Sequence, residues 1–563
     1  MAHELSSLTL AELLKHSAAA WPQRPALGMV DGMLLTYEAL LEKVQLLSAQ
    51  LQEKGILAGD RVAILSENKP QWGVAYLAIT TMGAVVVPIL PDFTTGEVQH
   101  IIRHSGAKAV FVSEKLYSKI EDEFESSLRT IFMIDDFSPV PLQTDKDRLK
   151  DFITQGSIGL DRLKEAAMRL AGRGHEVVEE DLASIIYTSG TTGNSKGVML
   201  THKNIVSDAI ATKQIIQLDE TDRLVSILPL SHAYECTLGF VLVLYAGASV
   251  YYLDKPPTAR ALLPALEMIK PTIMCSVPLI IEKIYKTKVL PTFTQKRTMR
   301  ALYKNPFMRR TLNRAAGKKL LRFFGGELHD FCIGGALLAA DVEQFLREAK
   351  FPYAIGYGLT ETSPLIAGTD SRATVLRATG KPLQGVEMKI DNPHPDTGEG
   401  EIVVRGPMVM KGYYRDPERT QAVLSEDGWF RTGDLGVFDK KGYLYIKGRV
   451  KNMILGPSGE NIYPEEIEEA INEHPDVLES LVYEQGGQIC ARVYLNYEEL
   501  DHEFTSLKMS DSEIKVEIGK RLEELRIEVN SRLKSFSRIN KIIEQTSPFE
   551  KTPTLKIKRF LYA

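Results

Sequence analysis

Short apolar runs alternate along this chain with longer stretches whose apolar residues recur at helical spacing. That alternation constrains the fold more than any other feature. RVAIL (61–65) and AVFV (109–112) are separated by helical patches such as Tyr37 to Lys54. Such a pattern predicts crossover units on a mainly parallel sheet. A second βα section runs from Asp181 to about Asp370, with strands predicted at SIIYT, RLVSILP, ASVYYL and PTIMCSV. Residues 383–447 change character. EMKI, EIVVRG and YLYIKG are separated by glycine-containing turns, as in a small barrel or sheet.

After Gly448 the chain starts afresh. Pro464 opens a helix (PEEIEEAINEH) whose early acids suit the positive end of its dipole. Two β-prone runs flank Gly486 and Gly487 as a hairpin. Ser510 with Glu513 forms a capping-box pattern ahead of Ile514, Ile518, Leu522, Leu525, Val529 and Leu533 on one helical face. The expected fold class is α/β: a large N-terminal domain (1–448) of two βα subdomains plus a small β-barrel, then a small mobile α+β C-terminal domain (449–563).

At 563 residues the chain exceeds a single core. Its hydrophobic fraction of 44% and charged fraction of 25% are those of soluble globular proteins. A net charge of -5 argues against nucleic acid as the main partner. Cys236, Cys275, Cys332 and Cys490 have neither disulfide-framework nor metal-ligand spacing, and read as core thiols of a reducing, cytoplasmic compartment. Glu4 and Glu12 interrupt the N-terminus, so it reads as a first helix and not a secretory signal. Leu238 to Leu253 is short for a bilayer span and contains Gly239 and Gly247; a buried helix running into a buried strand is expected.

The most informative segment is YTSGTTGNSKGV, Tyr187 to Val198, directly after an apolar strand. Its glycines and hydroxyl residues let N–H and O–H groups converge on phosphate oxygens, with Lys196 as a point charge. The Walker pattern is not met, because Ser195 precedes the lysine and Gly197 follows it. Taken alone, a loop of glycine, serine and threonine is more often just a flexible connection. IGGALL (333–338), GYGLTET (356–362), GWFRTGDLG (428–436), GRVKNMILGPSGENIYPEEIE (448–468) and KTPTLKIKR (551–559) follow in order.

Together these six segments resemble the adenylate-forming superfamily of acyl-CoA synthetases, peptide-synthetase adenylation domains and firefly-type luciferases. The resemblance covers essentially the whole chain. It implies ATP and coenzyme A as co-substrates, Mg²⁺ as the metal, and a carboxylic acid activated through acyl-AMP. It further implies that Thr188, Ser189, Gly190, Thr191, Thr192, Gly193 and Lys196 hold the β- and γ-phosphates. Thr360 would contact the α-phosphate and Glu361 the magnesium. Gly334, Gly335 and Ala336 would form the wall against adenine, with Tyr357, followed by Gly358, on the ring. Asp434 and Arg449 would bind the ribose, and Lys451 would be the hinge.

Lys556 matches the catalytic lysine that bridges the carboxylate and the α-phosphate, although Leu555 departs from the glycine common before it. Ser458 and Gly459 match positions lining the coenzyme A tunnel. LPLSHAYECTLGF (228–240) resembles the acyl-pocket gate of long-chain fatty acid–CoA ligases, with His232 near the carboxylate. Leu279 stands where those ligases often have arginine. The alternatives are a ligase that loads acyl carrier protein, one that stops at acyl-AMP, and a non-catalytic acyl-nucleotide sensor. A homodimer would be in keeping with relatives, though no heptad marks one. One local feature stands apart: no acidic residue interrupts the basic run from Lys283 to Arg322. It would suit an anionic membrane surface, coenzyme A phosphates or plain solvation.

Overall fold

The computed structural model describes all residues except 1–4, 33, 122–127, 141–174, 189–194, 457–459, 498–499, 501–503, 505–508, 552–556 and 563. Two large sheets dominate. The eight-stranded one runs Gly412–Tyr413, Lys196–Thr201, Leu182–Thr188, Val85–Ile89, Arg61–Leu65, Ala109–Val112, Thr130–Met133, Pro139–Val140. The nine-stranded one runs Lys381–Pro382, Leu365–Gly368, Tyr353–Gly358, Asp330–Ile333, Ile273–Ser276, Arg223–Ser226, Ser249–Tyr252, Pro25–Met29, Leu34–Thr36. The central strands of both are parallel. Their continuous apolar runs are buried because helices cover them.

The first βα section is not confined to one sheet. Pro25–Met29 pairs in parallel with Ser249–Tyr252 of the nine-stranded sheet, in register Gly28 to Tyr251. The helix Pro70–Thr81 touches strands of both sheets and is buried on almost every side, as its unbroken apolarity requires. Gly73 permits the close approach: a Cβ there would lie 2.9 Å from both Leu27 Cδ1 and Phe240 Cε2.

The apolar stretch at 238–253 is a buried π-helical turn, Glu235–Val241, then the helix Leu242–Tyr245 and the strand Ser249–Tyr252. Among the described residues no helix is long and apolar enough to cross a membrane. The expected first helix is Leu10–Ala20, capped by Thr9. The segment marked for a small barrel or sheet forms a four-stranded antiparallel sheet, Glu387–Asp391, Gly400–Arg405, Phe430–Phe438 and Leu444–Arg449.

Beyond it lie the helix Pro464–Asn472 and the hairpin Val477–Gln485 with Gln488–Leu495, turning at Gly486 and Gly487 with φ of 60° and 76°. The helix Asp511–Arg532 carries the predicted Ser510–Glu513 capping box and buries Ile518, Leu522, Leu525 and Val529. Polar contacts join this part to the rest. Arg377 pairs with Glu469 at 2.7 Å, Lys286 Nζ donates to the Asn472 carbonyl at 2.8 Å, and Tyr463 donates to Glu399 at 2.9 Å.

Candidate active site

The site residues come from strand ends of the two large sheets and from the neighbouring four-stranded sheet. Thr188 and Lys196 pair with each other at the end rung of the antiparallel strands Leu182–Thr188 and Lys196–Thr201. The strand Tyr353–Gly358 from the other sheet runs into a short 3₁₀ turn, Thr360–Thr362, which sets Glu361 inward. Lys196 Nζ donates to Glu361 Oε1 at 2.6 Å and to the Tyr413 hydroxyl at 2.7 Å; Tyr413 donates to the same carboxylate oxygen at 2.9 Å. Burial works to raise the Glu361 carboxyl, but the charge and hydrogen bond of Lys196 outweigh it and hold it below the usual carboxylate range. The result is a buried, ionised carboxylate beside a cation at the mouth of the glycine-rich loop. Thr188 adds a buried hydroxyl oxygen with no hydrogen-bond partner among the described residues.

A second cluster lies a few residues back along the same strand. Tyr357 is buried and donates to Asp434 Oδ2 at 2.9 Å, while Arg449 Nε donates to Asp434 Oδ1 at 3.0 Å. Register explains the second contact, because Asp434 and Arg449 are directly paired across antiparallel strands. The Asp434 N–H is held by Thr432 Oγ1 at 3.1 Å, which fixes the carboxylate from behind. Burial, then the neighbouring Asp434 charge, pushes the Tyr357 phenol well above its usual range, so it remains a donor.

Gly334 and Gly335 continue the strand Asp330–Ile333, next to Tyr353–Gly358 in the sheet. Gly335 has φ +87°, and a Cβ on it would meet only Val277 Cγ1 at 3.8 Å, which leaves an open face beside the backbone. Ala336 follows on the exposed side of the turn. Gly358 has a different reason for being glycine. A Cβ there would sit 1.8 Å from the Pro364 carbonyl oxygen, so the bend into the Glu361 turn requires a bare backbone.

His232 is half-buried at the start of the π-helical segment. Its Nδ1 accepts from the Tyr234 N–H at 3.2 Å, which leaves the proton on Nε2. Tyr234 donates to the Cys332 carbonyl at 2.9 Å and lies 3.4 Å from the position of a Gly334 Cβ, so the His232 segment borders the glycine wall. Lys451 is exposed in the 3₁₀ turn Val450–Asn452. Ser189, Gly190, Thr191, Thr192, Gly193, Ser458, Gly459 and Lys556 lie outside the described residues.

Three residues that the sequence reading did not single out support these clusters. Tyr413 bridges Lys196 and Glu361, with Lys196 Nζ also 4.4 Å from its ring centroid. Asn68 pins the His232 segment by donating to the Leu228 carbonyl at 2.6 Å and accepting from the Leu230 N–H at 2.9 Å. Glu235 is fully buried beneath it, accepting from Ser226 at 2.5 Å. An acid inside an otherwise apolar run was the available signal for Glu235. Neither spacing nor composition marks the other two.

The residues present suit an ATP–magnesium pair. Among the described residues no group of three or more His, Cys, Asp or Glu could cage a metal. A magnesium ion needs only one or two carboxylates when phosphates supply the remaining oxygens, and Glu361 is ionised and placed beside Lys196.

A family model described as AMP-binding enzyme matches residues 14–414, and the chain belongs to that family. Its relatives include the long-chain-fatty-acid–CoA ligase FadD15 of Mycobacterium bovis, 29% identical over 486 residues that cover 81% of this chain and 76% of the relative. The chloroplastic long-chain-fatty-acid–[acyl-carrier-protein] ligase AEE15 of Arabidopsis thaliana is 28% identical over 509 residues, 77% and 68% of the two chains. Among solved structures, an ATP-bound RpMatB-BxBclM chimera superposes with a TM-score of 0.76 at 25% identity, covering 99% of this chain and 98% of the other.

Proposed function

We propose that the chain activates a long-chain fatty acid with ATP, forming acyl-AMP and pyrophosphate, and then transfers the acyl group to coenzyme A with release of AMP. The observation that carries the reading is the joining of Lys196, Glu361, Tyr357, Asp434 and Arg449 into adjoining clusters at the strand ends. In the first step a carboxylate oxygen forms a bond to the α-phosphorus, and the bond to the leaving pyrophosphate breaks. Both partners are anions, so the protein must supply positive charge and donors.

Lys196 and Thr188 serve the β- and γ-phosphates, and Thr360 the α-phosphate. Asp434, held by Tyr357 and Arg449, accepts from the ribose hydroxyls, and the bare backbone at Gly334 and Gly335 lets adenine lie close. Magnesium, when bound, neutralises phosphate charge, and Glu361 is the carboxylate to hold it. The His232 Nε2–H is the donor for the substrate carboxylate.

Residues 449–563 form the mobile domain of this reading, with Lys451 at the pivot and Lys556 delivering its ammonium to the reacting carboxylate. In the second step the coenzyme A sulfur bonds to the acyl carbon, the bond to AMP breaks and the thiol proton passes to solvent. Ser458 and Gly459 line the path of the thiol. The long-chain acid is supported by relatives such as FadD15, and the carrier-protein ligase among them keeps that acceptor as the second reading.

The test is ATP–pyrophosphate exchange with acids of graded length, repeated as AMP and acyl-CoA formation with coenzyme A. Exchange that peaks with long acids, followed by thioester, is expected. Exchange without thioester would move the acceptor to a carrier protein, and exchange with no acid would refute the activity.

A further inference from the structure

We propose that the corner between two basic helices is a docking surface for an anionic lipid bilayer. The helix Arg297–Lys304 buries none of its residues. It turns at Asn305, whose Oδ1 accepts from the N–H groups of Phe307 and Met308 at 3.0 and 3.2 Å, into the helix Pro306–Phe323. At this capped, well-defined corner Phe307 is 77% exposed, more than any other large apolar side chain described, and Leu302 just before it is 43% exposed. Burying a phenylalanine side chain is worth about 1.5–3 kcal/mol, which is what this ring stands to gain from meeting something less polar than water.

The charge around it states what that something is. Lys296, Arg297, Lys304 and Arg310 are exposed, and none makes an ion pair with any described residue. No acid occurs in the sequence from Lys283 to Gly326, although the whole chain carries a net charge of -5. Arg405 and Arg532, by contrast, are paired with Glu387 and Glu528. The corner that bears Phe307 thus gathers unpaired cations within a stretch of sequence that holds no acid. A ring 77% exposed among unpaired cations can enter a headgroup layer that yields around it while the cations meet lipid phosphates. The inference rests on this surface alone and holds whatever acid is activated.

The experiment is flotation of the full chain with vesicles of phosphatidylcholine, and of phosphatidylcholine mixed with phosphatidylglycerol, at low and high salt. Salt-sensitive binding to the anionic vesicles alone is expected. Replacing Lys296, Arg297, Lys304 and Arg310 together by Gln should weaken partitioning by roughly 10²- to 10³-fold, since each basic residue near the surface contributes about fivefold. Phe307→Ser should weaken it by about 10- to 100-fold, and the Phe307→Trp variant should blue-shift its emission on binding.

Both weakened variants lie outside the candidate site and should retain ATP–pyrophosphate exchange, which certifies their fold. Equal binding to neutral vesicles, binding untouched by the substitutions, or no vesicle binding at all would overturn the proposal. So would a dimer that Phe307→Ser dissolves in the absence of vesicle binding. Loss of exchange in the wild-type chain would refute the proposed activity and leave this docking test standing.

Discussion

Replacing Glu235 by Gln should stabilise the protein, and the gain should grow with pH. Glu235 is fully buried; one carboxyl oxygen accepts from Ser226 and the other has no hydrogen-bond partner among the described residues. Gly239 lies so close that a Cβ there would be 2.6 Å from Glu235 Cδ. Burial pushes the carboxyl from 4.5 up to about 8, with the Ser226 hydrogen bond only partly opposing it. The folded state therefore holds a proton that the unfolded chain releases above about 4.5. The stability associated with that proton is fully present below the unfolded pKa and is lost as pH rises towards 8.

At about 1.4 kcal/mol per pH unit, the loss between pH 5 and pH 8 is about 3–4 kcal/mol. Glutamine keeps the acceptor for Ser226 and never ionises, so it escapes this loss. For an unfolding unit of this size, that corresponds to about 3 °C in Tm. The assay is thermal unfolding of wild type and Glu235→Gln side by side from pH 5 to pH 8.5, where all other titrations cancel in the difference. An offset in Tm that stays constant across the range would refute the reasoning, because it would mean that Glu235 titrates alike in the folded and unfolded chains.

Three further outcomes bear on the site. Tyr357→Phe removes the buried donor to Asp434 and should raise the KM for ATP by roughly tenfold, the worth of one hydrogen bond to a charged group, while leaving the acid's KM unchanged in steady-state kinetics. Gly358→Ala would place a methyl 1.8 Å from the Pro364 carbonyl; the Glu361 turn must shift, and ATP–pyrophosphate exchange should fall by at least 10²-fold by analogy with misplacing one catalytic group. Lys556→Ala should lower adenylation by roughly 10²- to 10³-fold, the loss of one transition-state donor. It should affect thioester formation from supplied acyl-AMP much less, and equal losses would refute that division of labour.

Most strands and the ordered motifs were legible in the sequence because each depends on local properties. Apolar runs bounded by turns became strands, Ser510 with Glu513 became a capping box, and Gly486 with Gly487 became a hairpin turn. Sheet membership was not local. Nothing in PALGM announces that Pro25–Met29 pairs with Ser249–Tyr252; that choice follows from the buried helix Pro70–Thr81 packing between two sheets, with Gly73 thin enough to admit Leu27 and Phe240. The same limit applies to the candidate site.

The motifs identified Lys196, Glu361, Tyr357, Asp434 and Arg449 as members, but not which of them touch. Lys196 and Glu361 are 165 residues apart in sequence, and Lys196 and Tyr413 are 217 apart. Their meeting follows from strand register. Gly412 and Tyr413 pair with Met199 and Val198 at the edge of the eight-stranded sheet, which carries the Tyr413 hydroxyl to Lys196. Glu361 arrives from the other sheet and is locked there by the Met410 N–H donating to its carbonyl at 2.9 Å. A carboxylate from one sheet and a lysine from the other thus share one tyrosine at the seam between the sheets. Any substrate that separates Lys196 from Glu361 must replace both halves of that pair. On the proposed reading a polyphosphate with its magnesium would do so, offering anionic oxygens to the lysine and a cation to the glutamate, whereas a neutral ligand would leave the buried Glu361 charge unpaired at a cost of several kcal/mol.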